Sequence, residues 1–360
     1  MTEEKVKVLM TLHGVWPIPI NDQIGPIELE DGISLVTINE QPSSVSETSE
    51  FVINLHKKGQ IAMRTPFRND PLSKLPKMGM LFEIQERKDG GFLFMPHHYV
   101  ARSMRPKTIL RLFQSGEFIT SLIINEMGFD ISTAVSDDPD LIHYEIEPKT
   151  VEPLKNFYQF LLGKWKATDA LLAARKDSKT FKNLFSRLNN AAQFLDKSYF
   201  DEFSFVRTIG ARSENSSRYD NYLRLIFCWL GIESLVCYGK EDKLKQLKRH
   251  LPIFLAGFSA DKISTFVDTY YEMRSFYIHA DPEKMHRIRN KDLEIVQDIL
   301  KLLILVFFMA CSDEVIYKEL EKENDIDPVK GLTKMNLSKY YQQMKSDTGA
   351  NFESYSFKPI

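Results

Sequence analysis

The 360-residue sequence contains few cysteines and no long apolar run. Its three cysteines, Cys228, Cys237 and Cys311, form no CxxC pair, and two of them fall in strongly apolar helical segments. This pattern is typical of buried thiols in a reducing compartment, so we expect no disulfide. The longest apolar stretch, Leu302 to Cys311, covers only ten residues. That is about half of what a bilayer span requires, which predicts a core helix rather than a membrane anchor.

Several common catalytic motifs are also absent from the sequence. It contains no GxxxxGK[ST], no GxGxxG after a predicted strand and no GxSxG. Nucleotide-driven and α/β-hydrolase chemistry therefore has no support. The first residues, MTEEKVKVLM, place acidic side chains where a secretory signal needs a basic end, which argues against export. We expect a cytoplasmic protein with no cofactor and no membrane partner.

The overall charge balance, 47 basic against 49 acidic residues, conceals an asymmetry along the chain. Residues 1–150 carry 15 basic and 21 acidic groups, residues 151–312 carry 25 and 19, and residues 313–360 carry 7 and 9. The net charges of these segments are −6, +6 and −2. A uniformly basic nucleic-acid coat is excluded, but the middle segment remains a candidate surface for an anionic partner. The acidic first segment is a candidate for masking that surface.

The hydrophobic period changes near residue 150, and this change predicts an α+β protein. The first part contains short runs rich in β-branched and aromatic residues, with one helix near Lys107–Gln114. The predicted strands are Val6–Trp16, Ile27–Ile38, Phe51–Met63, Met80–Glu86 and Phe92–Val100. The second part has apolar residues at helical spacing. The predicted helices are 151–175, 179–197, 219–238, 242–255, 261–280 and 289–312.

These patterns predict three regions. Residues 1–150 are expected to form a β-rich sensing or regulatory domain, and residues 151–312 an all-α helical bundle. Residues 313–360 form a polar tail, with an amphipathic piece at Leu332–Met344 that either packs on the bundle or stands apart from it.

The segment from Asp261 to Pro282 carries the clearest chemical signal. Asp261 is the predicted N-cap of a helix, and Arg274 lies at the edge of its apolar stripe, where a guanidinium needs a partner. Pro282 disfavours helical geometry just before it, so His279 is expected in the last turn. There the negative end of the helix dipole favours the imidazolium form. The predicted apolar stripe consists of Ile263, Phe266, Val267, Tyr270, Met273 and Tyr277.

Arg274 and His279 form an R-x4-H motif, and at this point the sequence resembles HEPN domains. The resemblance is to the Apea-like branch of prokaryotic defence systems, whose helix reads roughly aromatic-x-x-R-S-x-x-x-H before a small residue. Here the match runs from Tyr271 to Ala280. An earlier apolar helix, Leu225–Leu235, matches the family's helix with an embedded Glu-x-Leu through Glu233. The resemblance covers about residues 200 to 312 and implies a HEPN-like bundle.

The resemblance implies a metal-independent RNA endonuclease formed by a homodimer, in phage defence or as a toxin. His279 from each chain would serve as acid or base, Arg274 would clamp the phosphate, and Glu233 would orient Arg274. Ser275 and Tyr277 would position phosphate or water. Four basic residues after the motif would line the RNA-binding mouth: Lys284, Arg287, Arg289 and Lys291. A phage-derived trigger or an antitoxin would be a further partner.

Other interpretations of the same residues remain open. Arg274 is alternatively a structural residue paired with Glu233 or Glu272, and His279 a C-terminal helix cap. The chain would then be a non-catalytic HEPN scaffold for dimerisation and for binding RNA or protein. A basic cluster is typical of a solvated helix face and alternatively tracks phosphates. This cluster consists of Lys240, Lys243, Lys245, Lys248 and Arg249.

Two histidine-containing groups give weaker signals. His279, Asp281 and His286 are imaginable metal ligands, but Pro282 intervenes and their spacing fits no common site, so we predict no metal. The pair His97-His98 falls on a predicted strand, where successive side chains alternate between faces. Only one of the two would point inward, which favours a packing or surface role.

Overall fold

The computed structural model describes thirteen segments of the chain. They are residues 3–13, 15–17, 27–37, 78–87, 96–113, 119–125, 130–132, 144–146, 148–199, 216–256, 258–278, 288–322 and 327–348. The chain divides into two compact units, one drawn mainly from residues up to Gln159 and one drawn mainly from Phe160 onward. This division falls within a continuous helix, Pro148–Ala174, rather than at the composition change near residue 150.

The first unit is built on eight described strands, with one described helix of its own. The strands are β1 Glu3–His13, β2 Val15–Pro17, β3 Ile27–Glu30, β4 Ile33–Thr37, β5 Met78–Arg87, β6 Ile119–Asn125, β7 Asp130–Ser132 and β8 Tyr144–Ile146. The helix α1 spans Pro96–Phe113. Six strands form one sheet in the order β3-β4-β5-β1-β6-β7, and β2 pairs with β8 in parallel. These elements confirm the α+β class.

Strand β1 lies inside the six-stranded sheet because its long alternating segment pairs on both sides. It runs antiparallel to β5, from Glu3 opposite Arg87 to Leu12 opposite Met78, and antiparallel to β6 on its other edge. A turn at Asp31-Gly32 divides the predicted strand Ile27–Ile38 into β3 and β4, and Gly32 adopts a φ of 71° that favours glycine there.

Hydrogen bonds tie helices to this sheet within the first unit. The Arg105 guanidinium on α1 donates to the Glu30 carboxylate over 2.6 Å. Within the next helix, Pro148–Ala174, the Gln159 side chain donates to the Leu29 carbonyl.

One strand prediction in this unit is wrong. Residues 96–100 of the predicted strand Phe92–Val100 form the first turn of α1, and residues 92–95 lie outside the described segments. Pro96 occupies the first helical position, where its missing N–H and fixed φ are tolerated. His97 and His98 are therefore helical, and strand alternation does not apply to them. The predicted strand Phe51–Met63 lies outside the described residues.

The second unit is helical and closely follows the predicted segments. Its helices are α2 Pro148–Ala174, which begins in the first unit, α3 Lys179–Ser198, α4 Ser216–Val236, α5 Lys243–Phe254, α6 Ala260–Ile278, α7 Asn290–Cys311, α8 Glu314–Lys322, α9 Pro328–Leu332 and α10 Ser338–Thr348. Helices α4 and α7 form its core, as their apolar composition predicts. Every residue of 299–311 is buried, and Gly231 on α4 permits close approach to Leu300 on α7.

The tail belongs to the helical unit, and both buried apolar side chains and polar contacts order it. Arg175 at the end of the α2 region pairs with Glu321 on α8. Asp313 accepts a hydrogen bond of 2.7 Å from the Tyr340 hydroxyl on α10. The predicted amphipathic piece Leu332–Met344 corresponds only in part to α10, because Leu332 ends α9 and a turn separates the two helices.

The buried run at Leu302–Cys311 lies inside α7, as predicted. Within the described segments, no single helix has the length and apolar character to cross a membrane. The helices Lys291–Cys311 and Glu314–Lys322 have enough length and apolar character only when they are counted together, and an 80° bend separates them.

Candidate functional site

The candidate site forms where α4 packs against α6. Trp229 on α4 is fully buried, and its ring lies 5.8 Å from that of Phe266 and 6.1 Å from that of Tyr271. Glu233 follows Trp229 by one helical turn and so points to the same side of α4. Only 4% of Glu233 is exposed, so a carboxylate in the core faces the helix that carries Arg274.

Two cations meet this buried carboxylate, one at each oxygen. The Lys243 ammonium donates a 2.6 Å hydrogen bond to Oε2 of Glu233. The nearest guanidinium nitrogen of Arg274 lies 3.3 Å from Oε1 but lacks the alignment of a hydrogen bond. The Arg274 contact is therefore a charge–charge pair. Two positive charges on one negative charge leave this three-residue cluster with a net charge of +1.

Arg274 occupies the predicted position at the edge of the buried stripe. Its side chain is 18% exposed, and its guanidinium carbon lies 5.5 Å from the centre of the Tyr271 ring. Glu233 is its partner, as one of the sequence alternatives predicts. The helix itself begins at Ala260, so the predicted N-cap Asp261 is wrong. Ser259 precedes the helix instead, and its hydroxyl lies 3.5 Å from the backbone nitrogen of Lys262.

The turn between α4 and α5 brings Lys243 to Glu233. Gly239 has a φ of 64°, a left-handed conformation that lets the chain reverse after α4. The buried Gln246 side chain accepts from the Tyr238 N–H over 2.9 Å and donates to the Tyr238 carbonyl over 2.8 Å. Asp242 caps α5 by accepting from the backbone N–H of its second residue over 2.9 Å. Lys243 is thus the first residue of a capped helix.

A side chain from another helix also holds the C-terminal end of α4. Arg187 on α3 donates over 2.8 Å to the carbonyls of both Ser234 and Cys237. The same guanidinium donates over 2.7 Å to Asp327, the N-cap of α9. One side chain therefore satisfies two end carbonyls of α4 and attaches the tail to the same point.

His250 on α5 is held as a neutral ring. Its Nδ1 lies 2.7 Å from the Val236 carbonyl, which only accepts, so Nδ1 carries a proton. Arg249 donates over 3.0 Å to Nε2, which is therefore unprotonated. The Tyr238 ring stacks on the imidazole at 5.3 Å. Burial lowers the pKa of His250, although its hydrogen bond to the backbone carbonyl partly opposes this shift.

The three cysteines are buried free thiols, as predicted. Burial, with a smaller contribution from the Glu233 charge, raises the pKa of Cys237 to about 12. Burial likewise raises the pKa of Cys311 to about 12. Since the thiolate is the reactive form, both side chains are unreactive at neutral pH.

The remaining predicted site residues are described only in part. Ser275 is half-buried on α6, and Lys291 is exposed near the start of α7. Tyr277 lies in the last turn of α6, and its side chain is outside the description. His279, Lys284 and Arg287 lie outside the described residues altogether.

Arg289 makes a local contact that the sequence pattern does not predict. It precedes α7, is 74% exposed, and directs Nε and one terminal nitrogen to the two Asp292 oxygens at 3.0 and 3.2 Å. Its backbone N–H also donates to Asp292 over 3.0 Å. Burial opposes ionisation of Asp292, but these hydrogen bonds outweigh it and lower the pKa of Asp292. Arg289 thus caps the first turn of α7 and is paired with Asp292.

The described side chains that could bind a metal ion do not cluster, and two other basic residues near the site have acidic partners of their own. Among the described residues, no three His, Cys, Asp or Glu side chains gather in a way that could hold a metal ion. In the basic cluster of α5, Lys248 pairs with Asp268 and Arg249 pairs with Glu241, each with an exposed acid. Lys243 differs because its acid is buried.

The sequence pattern does not report the specific roles of Lys243 and Arg187. It places Lys243 in a basic cluster typical of a solvated helix face, and only the turn at Gly239 reveals the contact with Glu233. The Asp242 cap and the left-handed glycine are the sequence signals that locate this turn. The Arg187 contacts join residues 47, 50 and 140 positions apart, and no local pattern indicates them.

Comparison with known proteins yields no relative of this chain. No family model matches it, and neither a curated protein nor a solved structure matches it.

Proposed function

We propose that the protein is a cytoplasmic, homodimeric RNA endonuclease of the HEPN type that acts without a metal ion in phage defence or as a toxin. The observation that carries this proposal is the anchoring of Arg274, the arginine of the R-x4-H motif, by the buried carboxylate of Glu233. The +6 charge of residues 151–312 also favours an anionic partner.

In the proposed reaction, the 2′-hydroxyl of the RNA attacks the adjacent phosphorus atom. One His279 accepts the hydroxyl proton, and the His279 of the partner subunit gives a proton to the leaving 5′-oxygen. The new O–P bond closes a 2′,3′-cyclic phosphate, and the broken bond releases a 5′-hydroxyl end. Arg274 stabilises the negative charge that develops on the phosphate oxygens.

The contacts of Arg274 suit this role. Glu233 and the Tyr271 ring restrict the guanidinium, and the charge–charge pair with Glu233 uses none of its five N–H donors in an aligned hydrogen bond. An arginine held in this way needs little reorganisation when a phosphate arrives. A lysine would keep the charge but lose the planar donor fork.

Substitution of the two motif residues tests the proposal. Arg274→Ala and His279→Ala should each lower RNA cleavage at least a hundredfold and remove any toxicity in cells, with circular dichroism unchanged. Arg175→Ala is the matched control, because it removes another arginine paired with a glutamate in the helical unit. Unchanged cleavage by both motif variants contradicts the mechanism.

A second candidate is a non-catalytic HEPN scaffold for dimerisation and for binding RNA or protein. The observation that favours it is the same ion pair, because a buried Glu233 requires a cation whether or not catalysis occurs. This candidate predicts that Arg274→Ala lowers the melting temperature and the dimer affinity while the wild-type protein cleaves no RNA.

A further inference from the structure

Lys243 is the second cation at the Glu233 carboxylate, and its position has a consequence for substrate binding. Its side chain is 52% exposed, whereas the carboxylate it contacts is 4% exposed. The half-exposed Lys243 side chain is therefore held in place by a hydrogen bond to the buried Glu233 carboxylate. This arrangement differs from that of Lys248 and Arg249, whose acidic partners are exposed.

The two cations lie close together because one carboxylate contacts both. Arg274 and Lys243 approach opposite oxygens of Glu233 at 3.3 and 2.6 Å. The two terminal oxygens of a phosphodiester are spaced much like those of a carboxylate, so donors that meet around one can also meet around the other. Lys243 uses one of its three N–H donors on Glu233 and keeps two for a ligand.

Among the described residues, the two acids that precede Lys243 in the sequence have partners of their own. Glu241 is engaged by Arg249 at 3.0 Å. Asp242 directs its carboxylate to the backbone N–H groups of Leu244 and Lys245. Neither acid forms an ion pair with Lys243, whose acidic partner is Glu233.

We propose that Lys243 is a phosphate-binding residue of the candidate site, and that it and Arg274 together hold one RNA phosphate beside Glu233. This inference rests on the proposed function and adds a residue from a different helix to the motif. Lys243 contributes binding rather than proton transfer, because it is a point charge that contacts a non-bridging oxygen.

Binding of a non-cleavable RNA tests this role. A fluorescein-labelled 2′-O-methyl oligoribonucleotide lacks the attacking hydroxyl, so its affinity is measured without cleavage. Lys243→Ala should weaken binding about tenfold and reduce the slope of log affinity against log salt by about 0.7. Lys243→Arg should restore most of both. The control Lys322→Ala removes a lysine that also pairs with a glutamate at 2.6 Å and should change neither.

A second measurement uses the unaltered protein and does not depend on the variants folding. Acetylation of lysine amines, followed by mass spectrometry, should label Lys243 in the free protein and label it several-fold less with the oligoribonucleotide present. Lys322 should be labelled equally in both samples. Equal labelling of Lys243 with and without RNA overturns the inference.

The outcomes separate this inference from the proposed function. Wild-type affinity and salt slope for Lys243→Ala, with cleavage lost in Arg274→Ala, overturn the role of Lys243 alone. A lower melting temperature with unchanged binding does the same, because it assigns Lys243 to stability. A wild-type protein that neither binds the 2′-O-methyl RNA nor cleaves unmodified RNA overturns both.

Discussion

Replacing Arg187 with alanine should destabilise the helical unit by about 3.5–4 kcal/mol. Arg187 donates to the carbonyls of Ser234 and Cys237 and to the carboxylate of Asp327, at 2.7–2.8 Å. Its side chain is only 18% exposed. The substitution therefore leaves two carbonyls at the end of α4 without their donor and releases the start of α9.

The size of this effect follows from the hydrogen bonds that the substitution removes. Hydrogen bonds to a charged group contribute about 1.5–3 kcal/mol each, and the lower value applies to these two carbonyls because the site is partly open to water. The ion pair with Asp327 adds about 0.5–1 kcal/mol at its exposure. Arg187→Lys should lose about half of the total, since one ammonium cannot reach all three acceptors.

Denaturation by guanidinium chloride, followed by tryptophan fluorescence, measures the effect in the helical unit. Trp165 and Trp229 both lie in that unit. Arg175→Ala is the control, because it removes an ion pair with Glu321 but no carbonyl contact, and it should cost about 1 kcal/mol. If Arg187→Ala costs no more than Arg175→Ala, the bracing role assigned to Arg187 is refuted.

Three further substitutions test the packing and protonation of the helical unit. In His250→Gln, the free energy of unfolding should fall less between pH 7 and pH 5 than it does in the wild type. The folded-state pKa of His250 lies below its unfolded value, so its contribution to stability is full above about pH 6.5 and declines as the pH falls. Parallel pH profiles of the two proteins would argue against a neutral ring. Gly231→Ala should lower the free energy of unfolding by about 1–3 kcal/mol in the same assay, because the new Cβ would come within 2.8 Å of Leu300. A wild-type denaturation midpoint would contradict this, since it would show that α7 moves aside at no cost. Asp292→Asn should lower the free energy of unfolding by about 1–2 kcal/mol at pH 7 and by less at pH 3. Because the folded-state pKa of Asp292 is lowered, its contribution to stability is complete above about pH 4 and is lost as the pH falls through the folded-state value. An equal loss at both pH values would contradict this.

The helical half was predictable from sequence because its signals are local. Helices α3 to α7 begin and end within three residues of the predicted segments, since each carries a strong apolar stripe over three turns or more. The helix start at Ala260 shows the limit of such patterns. Asp261 and Ser259 are both good N-cap residues, and the sequence alone does not rank them.

The first half was harder to predict because short aromatic runs are ambiguous. Residues 96–100 contain Tyr99 and Val100, which favour a strand, yet they begin α1. The proline at the first helical position was the signal that favoured a helix. Strand pairing itself, such as that of β1 with both β5 and β6, depends on partners far away in sequence.

The candidate site was predictable only where it lies on one helix. Arg274 stands at the edge of the α6 stripe, and its need for a partner follows from that position. The contact of Lys243 with Glu233 depends on the turn between two helices, and the Arg187 contacts depend on the arrangement of α3, α4 and α9. Periodicity does not encode such arrangements.

The most direct test of the central claim is the chemistry of the RNA ends produced by the purified full-length protein. Total RNA and tRNA are incubated with it in the presence and absence of EDTA, and the new ends are mapped. The account predicts cuts that persist in EDTA, leave 2′,3′-cyclic phosphates and 5′-hydroxyls, and disappear in His279→Ala. Cleavage that EDTA abolishes, or that His279→Ala retains, would contradict it.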